Sequence, residues 1–588
     1  MKKLLIHSNN TSFSNNALFQ LSEQFVFDVD FDKDVDFYIN DNLTEGNLKQ
    51  KLENCDIVFI KVSLSKNYLE YLGLRLAYHI RLTKSLGQKA NIPIVIIAEE
   101  SFQYLGLTYP EPSILFTKGI YLIKESLDDY DRTLKWFNDR RIKPLDDFSS
   151  FVSSITINPT ANYLSHHSIA NEWSILRWAK VLGISTEREA LKDVRSNIES
   201  LLYYKYLQAK YPIEAEPNKA AFKINGKGRI LYIDDEWNKG WNEVLSNYFA
   251  TSSTEIEFET LKYDFKDKSH QDILEECDKK IQSFKPDVVL LDLRLSDSDF
   301  IINSHSSTHL TGYKVLEAIK SINPGIQVII FTASNKVWNL LELQANGADG
   351  FLLKESPELT VNSSYTFESL SSLNKQIKYC LSNAYLKEIW NLFQEIKKVF
   401  SKNPLTTKYF PKYLKDQING IKYQNLLLQE LDAIFEILKT NNENRYSMAM
   451  IMLYKVLEYL NEIFYQKVAW DRPPLFYDNS TVDYFDKNSN SWKKPTDRLD
   501  YYNKQKRATE QIRIKPEWLK STSNKILNLA FKKFCVTDKD ILTDLISLSD
   551  YRNDFIHSDS SKRNTLRVLG SKDILKWSNS ITTMIKNL

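Results

Sequence analysis

Four short apolar segments in the middle of the chain each end at a charged or hydroxyl-bearing residue. They are RILYIDDE (229–236), DVVLLDLRL (287–295), IQVIIFTAS (326–334) and GADGFLLKES (347–356). Helix-like stretches such as GYKVLEAIKSI (312–322) separate them, and this alternation is typical of βαβ units in a parallel sheet. Because the carboxyl ends of parallel strands gather at one edge, the polar residues at these ends are predicted to form one site.

Five polar side chains are predicted to meet at this edge: Asp234, Asp235, Asp292, Thr332 and Lys354. The three carboxylates would form a dense negative cluster, which a hard divalent cation such as Mg²⁺ can neutralise through oxygen ligands. The carboxylate of Asp292 can act as a nucleophile toward a phosphoryl group. The ammonium of Lys354 and the hydroxyl of Thr332 would then bind the transferred phosphoryl oxygens.

In the order of these four motifs, residues 225–385 resemble the receiver domain of two-component response regulators. The resemblance implies a flavodoxin-like, doubly wound parallel sheet with Asp292 as the phosphoacceptor. It also implies that Asp234, Asp235, Asp292 and the carbonyl of Arg294 hold Mg²⁺. The implied phosphodonor is a sensor histidine kinase or a phosphotransfer protein.

The same resemblance implies a phosphoryl-sensing set made of Thr332, Lys354 and the aromatic residue Phe351. Two features depart from the receiver pattern: the stretch 292–312 is longer than usual, and Glu355 stands where a proline is common. The alternative is a degenerate receiver that keeps the fold and never takes phosphate. Because every acidic, hydroxyl and lysine position is present, we favour an active receiver.

The first part of the chain repeats this pattern of strands. DIVFIKVSL (56–64) aligns with DVVLLDLRL, and YLIKES (121–126) aligns with FLLKES. IPIVIIAEE (92–100) matches the third strand and KLLIHSN (3–9) the first. The repeat predicts a second doubly wound parallel-sheet domain at the start of the chain.

The chemistry of the site is missing from this first copy. Lys61 stands at the position of the predicted phosphoacceptor, and His7 and Ser8 replace the acidic pair. Without those carboxylates there is neither a metal site nor an acceptor. We therefore interpret residues 1–130 as a pseudo-receiver that pairs with partners or with the second copy, in which the retained Lys124 has a structural role.

Residues 131–224 are predicted to form a helical connector and a linker. The stretch ANYLSHHSIANEWSILRWAKVLG (161–183) has apolar residues at helical spacing and ends in a glycine. Its SHHSIANEW portion, with His166, His167 and Asn171, resembles the histidine box of phosphotransfer helices, which would imply a relay to the phosphoacceptor. The alternative, which we favour, is an amphipathic helix with two surface histidines.

The helical period dominates residues 386–588. NLLLQELDAIFEILK (425–439), SMAMIMLYKVLEYLNEIF (447–464) and ILTDLISLSDYRNDFIH (541–557) carry dense apolar faces, which predict an all-helical bundle. This part holds 34 lysines and arginines against 24 aspartates and glutamates, a balance that permits RNA binding. The basic, aromatic insertion at 467–520 fits either a clamp on single-stranded RNA or a solvated loop.

The segment YRNDFIH (551–557) places an arginine five residues before a histidine. The imidazole of His557 can move a proton to or from a ribose hydroxyl, and the guanidinium of Arg552 can hold phosphate oxygens. A helical bundle carrying R-x4-H, with Asn553 directly after the arginine, resembles the HEPN superfamily. The resemblance implies a homodimeric ribonuclease that needs no metal, in which Arg552 and His557 are catalytic and Asn553 supports them.

Arg552 and His557 lie ~140° apart on an ideal helix, so within one chain they converge only if the helix ends or distorts between them. The alternative is an ordinary helix end, where Arg552 pairs with Asp550 or Asp554 and His557 caps the last carbonyls. In that case the bundle would be an adaptor that binds protein or nucleic acid.

The overall composition bears on the compartment. The apolar runs are far too short to span a bilayer, and the four cysteines have no paired spacing, so we predict a cytoplasmic protein without membrane contact.

The combined prediction is a phosphorylation-regulated response regulator whose output domain cleaves RNA as a homodimer. This layout is similar to bacterial stress or phage-defence effectors.

Overall fold

The computed structural model describes the chain except for residues 10–22, 29–33, 160–165, 186, 213–221, 251–254, 302–308, 334–337, 357–363, 403–416, 466–473, 477–479, 487–488, 490, 495–497, 504–507, 515, 558–567 and 588. The described part contains two five-stranded sheets, a helical connector between them and a C-terminal group of helices with two small hairpins. None of its helices has the length and apolar character that crossing a membrane requires.

The first α/β unit is built on a parallel sheet. Its strands are β1 (Lys3–His7), β2 (Glu23–Val26), β3 (Ile57–Lys61), β4 (Ile94–Ile97) and β5 (Ile120–Ile123). Its helices are α1 (Val35–Thr44), α2 (Asn47–Glu53), α3 (Leu72–Leu82), α4 (Phe102–Thr108) and α5 (Leu127–Asn138). The strands pair in the order β2-β1-β3-β4-β5. Every residue of β3 and β4 is buried, as expected of apolar strands that helices cover on both faces.

The connector follows, and its described residues contain several α-helices. They are α6 (Phe148–Ser154), α7 (His166–Val181), α8 (Lys192–Ser200) and α9 (Leu202–Lys210). The prediction of helical structure here is confirmed, and the long apolar stretch at 161–183 corresponds to α7.

The second α/β unit repeats the architecture of the first. Its strands are β6 (Gly228–Ile233), β7 (Ile256–Thr260), β8 (Val288–Leu291), β9 (Gln327–Thr332) and β10 (Gly350–Leu353). Its helices are α10 (Trp241–Ala250), α11 (His270–Phe284), α12 (Ser298–Ile301), α13 (Thr311–Ile322), α14 (Trp338–Ala345) and α15 (Tyr365–Ser382). The order β10-β9-β8-β6-β7 matches that of the first sheet strand for strand. The prediction of two doubly wound parallel sheets is therefore confirmed.

A glycine at equivalent places in the two units strengthens their alignment. A Cβ added to Gly73 would lie 2.3 Å from the carbonyl oxygen of Lys61, and one added to Gly312 would lie 2.1 Å from that of Asp292. Each glycine is the second residue of its helix, α3 or α13. Both helices thus begin in direct contact with the end of the central strand, which only a residue without a side chain permits.

One continuous apolar core joins the two sheets to the connector. The Trp178 ring of α7 lies 5.2 Å from the Trp241 ring of α10 and 5.7 Å from the Phe331 ring of β9, measured between centroids. The opposite face of the second sheet packs on a separate cluster. The connector is therefore part of the folded body and does not act as a loose tether.

The C-terminal helices surround a core of their own. They are α16 (Tyr385–Lys402), α17 (Gln417–Lys439), α18 (Arg445–Phe464), α19 (Pro516–Leu519), α20 (Thr522–Asn528), α21 (Lys539–His557) and α22 (Ser571–Lys586). The domain limits 1–130, 131–224, 225–385 and 386–588 stay predictions.

The bundle was predicted to be all-helical with the insertion at 467–520 set apart from it, and this insertion contains strands. Two antiparallel hairpins lie there, β11 (Tyr484–Asp486) with β12 (Ser491–Lys493) and β13 (Arg498–Asn503) with β14 (Ala508–Arg513). Aromatic residues such as those in YFD, SWK and RLDYYN favour strands. The strands are too short for their alternation to stand out among the charged residues of this segment.

Candidate functional site

Three carboxylates converge where two neighbouring strands end. Asp234 directly follows β6 and Asp292 directly follows β8, and these strands pair in the centre of the second sheet. Carboxylate oxygens of Asp234, Asp235 and Asp292 all lie within 4.8 Å of one another. Asp234 and Asp292 are fully buried. The structure thus brings together the acidic residues that the strand pattern placed at one edge.

A buried lysine completes the charge pattern. The Nζ of Lys354 lies 2.6 Å from Oδ2 of Asp234 and 3.1 Å from Oδ2 of Asp292. Burial alone would lower the pKa of Lys354, but the two carboxylates outweigh burial and raise it well above its ordinary value. The side chain is therefore an ammonium that bridges the two aspartates. Thr332 is the last residue of β9 and is fully buried. Its carbonyl accepts a hydrogen bond from the backbone N–H of Lys354 at 2.7 Å.

Hydrogen bonds fix the orientation of the two buried carboxylates. The Tyr232 hydroxyl donates to Oδ2 of Asp234 at 2.6 Å, and the backbone N–H of Glu236 donates to Oδ1 at 2.8 Å. The backbone N–H of Leu293 donates to Oδ1 of Asp292 at 2.6 Å. Tyr232 was not singled out from the sequence. Tyr232 lies two residues before Asp234, and side chains two apart in a strand share a face. This spacing could have identified Tyr232 from the sequence.

Asp235 carries the remaining negative charge of the cluster. Its Oδ1 atom is buried and has no hydrogen-bond partner among the described residues. Burial raises the pKa of Asp235 to about 9, and the neighbouring carboxylates of Asp234 and Asp292 add to the effect. Lys354 is one cation against three carboxylates. The excess of oxygen ligands fits a divalent cation, with Asp234, Asp235, Asp292 and the predicted carbonyl of Arg294 as the groups that would hold it.

The remaining predicted receiver residues lie around this cluster. Phe351 is half-buried in β10, and its carbonyl accepts the side-chain amide of Gln376 at 2.8 Å. Arg294 is half-buried two residues beyond the predicted phosphoacceptor. The long stretch after it is organised by Asp299, whose carboxylate accepts the backbone N–H groups of Leu295 at 3.0 Å and Ser296 at 3.1 Å.

The corresponding place in the first unit has a different chemistry. The Nζ of Lys61 lies 3.3 Å from Oε2 of Glu125, with both side chains nearly buried. His7 and Ser8 are buried where the acidic pair would stand, and burial lowers the pKa of His7, helped by the charge of Lys61. Lys124 is exposed, unlike its buried counterpart in the second unit. A single neutralised ion pair thus replaces the acidic cluster.

The connector helix α7 contacts residues directly beside the acidic cluster. The side-chain amide of Asn171 donates to Glu236, and its oxygen accepts the indole N–H of Trp241 at 3.0 Å. The Ser174 hydroxyl donates to the carbonyl of Glu355 at 2.6 Å. Arg177 forms an ion pair with the Glu355 carboxylate at 2.6 Å. The residue after Asp235 and the residue after Lys354 are thus both held by one helix.

The two histidines of the SHHSIANEW segment begin the same helix. His166 is the first residue of α7, and the side chains of His166 and His167 lie outside the part that the structure describes. Neither the relay nor the favoured alternative, an amphipathic helix with two surface histidines, is therefore tested. Asn171, the residue that completed the resemblance, is engaged by Glu236 and Trp241.

At the other end of the chain, Arg552 packs against α18. Its guanidinium lies 4.7 Å from the ring centre of Tyr454 and 3.9 Å from a carboxylate oxygen of Glu458. Its Nη1 donates to the side-chain oxygen of Asn553 at 3.1 Å. Helix α21 continues to His557, so it does not end between the two motif residues. The side chain of His557 lies outside the described residues.

Comparisons with known proteins point to receiver domains. Residues 5–123 match the family model of the inactive receiver domain, which confirms the interpretation of the first unit as receiver-like. The chain is 30% identical over 95 residues to the regulatory protein LuxO of Vibrio cholerae serotype O1, covering 16% of this chain and 18% of LuxO. It therefore spans about a fifth of that relative's length.

Among solved structures, the chain is similar to a crystal structure of NtrX from Brucella abortus. The identity is 15%, the TM-score is 0.17, and the match covers 34% of each chain. A TM-score of that size does not support an argument about fold or function. The family match shows a receiver-like unit at residues 5–123, and the similarity to LuxO over 95 residues supports a receiver domain within this chain.

Proposed function

We propose that this chain is a phosphorylation-regulated response regulator. In this proposal residues 225–385 form the receiver and residues 386–588 the output domain. The observation that carries it is the cluster of three carboxylates within 4.8 Å of one another, bridged by the buried ammonium of Lys354. A receiver implies a phosphodonor, for which a sensor histidine kinase or a phosphotransfer protein is the expected partner.

The transfer step assigns a role to each side chain of the cluster. A carboxylate oxygen of Asp292 forms a bond to phosphorus while the bond from phosphorus to the donor imidazole breaks, and the electron pair stays on the imidazole nitrogen. Lys354, already 3.1 Å from Asp292, donates to a transferred phosphoryl oxygen, and the Thr332 hydroxyl donates to another. Mg²⁺, when bound, supplies positive charge beside the phosphoryl oxygens.

We further propose that the output domain is a metal-independent endoribonuclease. His557 would accept the proton of a ribose 2′-hydroxyl as its oxygen attacks the adjacent phosphorus. The bond from phosphorus to the 5′-oxygen would break with its electron pair on that oxygen, which would take a proton from water. Arg552 would hold the phosphate oxygens as charge builds, with Asn553 as its support. Arg552 and His557 share one continuous helix, and positions five residues apart on an ideal helix differ by ~140°. The proposal therefore uses a homodimer, in which motifs from two chains complete one cleft.

One observation favours the second candidate, a helical adaptor that does not cut. The Arg552 guanidinium already stacks on Tyr454 and lies near Glu458 within the same chain. That placement suits a residue that stabilises the packing of α21 against α18. In an adaptor, phosphorylation would change what the bundle binds, and His557 would be dispensable for it.

The experiment that separates the two candidates is RNA cleavage by purified full-length protein. It compares EDTA with Mg²⁺ plus beryllofluoride, each for the wild type, His557→Ala and Asp292→Asn. Cleavage that persists in EDTA and disappears in His557→Ala would support the ribonuclease. No cleavage in either condition, with beryllofluoride still changing the oligomeric state of the wild type, would support the adaptor. An Asp292→Asn variant that responds to beryllofluoride like the wild type would contradict the receiver assignment.

A further inference from the structure

A cavity of about 610 Å³ lies between the first α/β unit and the connector. Its wall is formed by the end of α1, the segment after α3, and helices α8 and α9. Cationic side chains of Lys84, Lys192, Arg195 and Lys205 line it, and so do hydroxyl groups such as that of Thr83. This volume lies in the range of small-molecule binding sites.

Lys205 is the cation at the base of this cavity. Its side chain is buried, and its Nζ donates to Oγ1 of Thr83 at 2.9 Å and lies 3.3 Å from Nδ1 of His79. The other ring nitrogen of His79 lies 2.9 Å from Asp36. With the His79 proton on that nitrogen, Nδ1 is an acceptor for Lys205. Both partners of the ammonium are therefore neutral groups.

No carboxylate neutralises this ammonium directly. Within the part of the chain that the structure describes, no ion pair involves Lys205. The nearby Asp36 is already occupied by the two nitrogens of Arg75, at 2.6 and 2.7 Å, and by the backbone N–H of Leu202 at 2.8 Å. Burial lowers the pKa of Lys205 to about 8, against the opposing effect of the Asp36 and Glu199 charges. A buried charge held by neutral partners is costly, and here it faces an open cavity.

A second lysine on the wall adds to the positive potential. Burial and the charge of Lys180 lower the pKa of Lys84, which lines the cavity next to Thr83. Three carboxylates also line the wall: Asp41 and Glu45 are exposed, and Glu199 pairs with Arg195 at 3.2 Å. The buried polar groups of the wall include the ammonium of Lys205 and the hydroxyl groups of Thr83 and Ser200, and a cation beside hydroxyl groups suits a phosphate group.

We propose that this cavity binds a small phosphate monoester, such as a phosphorylated sugar or a nucleoside monophosphate. The phosphate lies against Lys205 and Lys84, and the polar remainder of the molecule fills the cavity toward α8. Inorganic phosphate shares the chemistry of the charged end, but it would leave most of the volume empty. Such a ligand contacts both the first unit and the connector, so it stabilises the joint between them. This site is separate from the acidic cluster at Asp292.

The test is calorimetric titration of the full-length protein with three probes: inorganic phosphate, ribose 5-phosphate and AMP. EDTA is present throughout, so that the acidic cluster cannot hold phosphate through a metal. We expect ribose 5-phosphate or AMP to bind at least tenfold more tightly than inorganic phosphate. Failure of all three probes to bind, or binding of inorganic phosphate as tight as that of the esters, would overturn the proposal.

Variants localise the binding. Lys205→Met should weaken it at least tenfold, whereas the control Lys210→Met should stay within twofold, because Lys210 lies on the same helix and bonds Tyr206 outside the cavity. Ser196→Phe should also weaken binding at least tenfold by filling the cavity while leaving the Lys205 contacts intact. Affinity that is unchanged in Ser196→Phe would overturn the proposal even if Lys205→Met failed to fold.

A chemical readout reports on the lysine itself. Reductive methylation followed by mass spectrometry measures how fast each lysine is modified. The tighter-binding ester should protect Lys205 several-fold and leave Lys210 unaffected. Equal modification of Lys205 with and without saturating ester would contradict a contact between the ligand and this ammonium.

Discussion

Replacing Arg177 by methionine should loosen the joint between the connector and the second α/β unit. The Arg177 side chain is 1% exposed, and its Nε lies 2.6 Å from the carboxylate of Glu355, which is 0% exposed. Methionine keeps much of the apolar stem but removes the cation, so the Glu355 charge would remain in the interior with the Thr366 hydroxyl as a neutral partner. Breaking a buried pair in this way costs about 3–5 kcal/mol.

The chain offers a matched control at the same joint. Arg188 of the connector pairs with Glu243 of α10, but these side chains are 45% and 23% exposed. Water screens such a pair, so Arg188→Met should cost about 0–1 kcal/mol. The two substitutions remove the same charge from the same pair of structural units and differ in burial, although Arg177→Met also removes a hydrogen bond to the Tyr211 carbonyl at 2.7 Å.

Thermal unfolding followed by tryptophan fluorescence measures the effect, because Trp178 and Trp241 pack together at this joint. We expect Arg177→Met to lower the Tm by roughly 5–15 °C. Adding Glu355→Gln should restore part of the loss, since it removes the stranded charge. Equal Tm values for Arg177→Met and Arg188→Met, or a double variant no more stable than the single one, would refute this reasoning.

Three further predictions concern single residues. Asp292→Asn should abolish labelling by acetyl phosphate on a phosphate-affinity gel, and a band that still shifts would place the acceptor elsewhere. Gly312→Ala should destabilise the second unit by about 1–3 kcal/mol in denaturant titrations, because the new Cβ would lie 2.1 Å from the Asp292 carbonyl oxygen; an unchanged midpoint would contradict that contact. Burial lowers the pKa of Lys205 to about 8 from 10.5, so its destabilising charge is fully present below pH 8 and is lost as the pH rises to 10.5. Wild type should therefore gain on the order of 3 kcal/mol more than Lys205→Met over that range in urea titrations, and parallel pH profiles would contradict this assignment.

The acidic cluster could be predicted from sequence because parallel strands impose its geometry. Once β6, β8 and β10 are recognised as strands of one sheet, Asp234, Asp292 and Lys354 must lie at the same edge. In the same way, Lys61 at the position of Asp292 predicted that the first unit lacks the acidic cluster. Local patterns sufficed because the sheet itself supplies the long-range information.

The contacts of the connector could not be predicted in this way. Asn171 meets Glu236 across 65 positions, and Ser174 meets the Glu355 carbonyl across 181. The packing of whole helices decides such pairs, and no periodicity in the sequence reports it. Glu355 stood out only as a departure from the receiver pattern, and the structure gives it a partner in Arg177.

The C-terminal part shows a third situation. Apolar periodicity identified its long helices. The hairpins of the insertion were not predicted, because their strands are short and contain many charged residues. In the structure Arg552 donates to the side-chain oxygen of Asn553, while the supporting role of Asn553 stays a prediction. Catalysis by His557 stays a prediction, because spacing along a helix does not determine what a second chain would bring to the cleft.

The shared core has a consequence for how this protein can be divided. Trp241 and Phe331 of the second unit are covered by Trp178 of the connector, and the same apolar cluster continues into the first sheet. A fragment limited to residues 225–385 would expose aromatic surface that the intact chain hides, and it would be prone to self-association. A fusion of the second α/β unit to another output domain would therefore have to include the connector and the first unit as well.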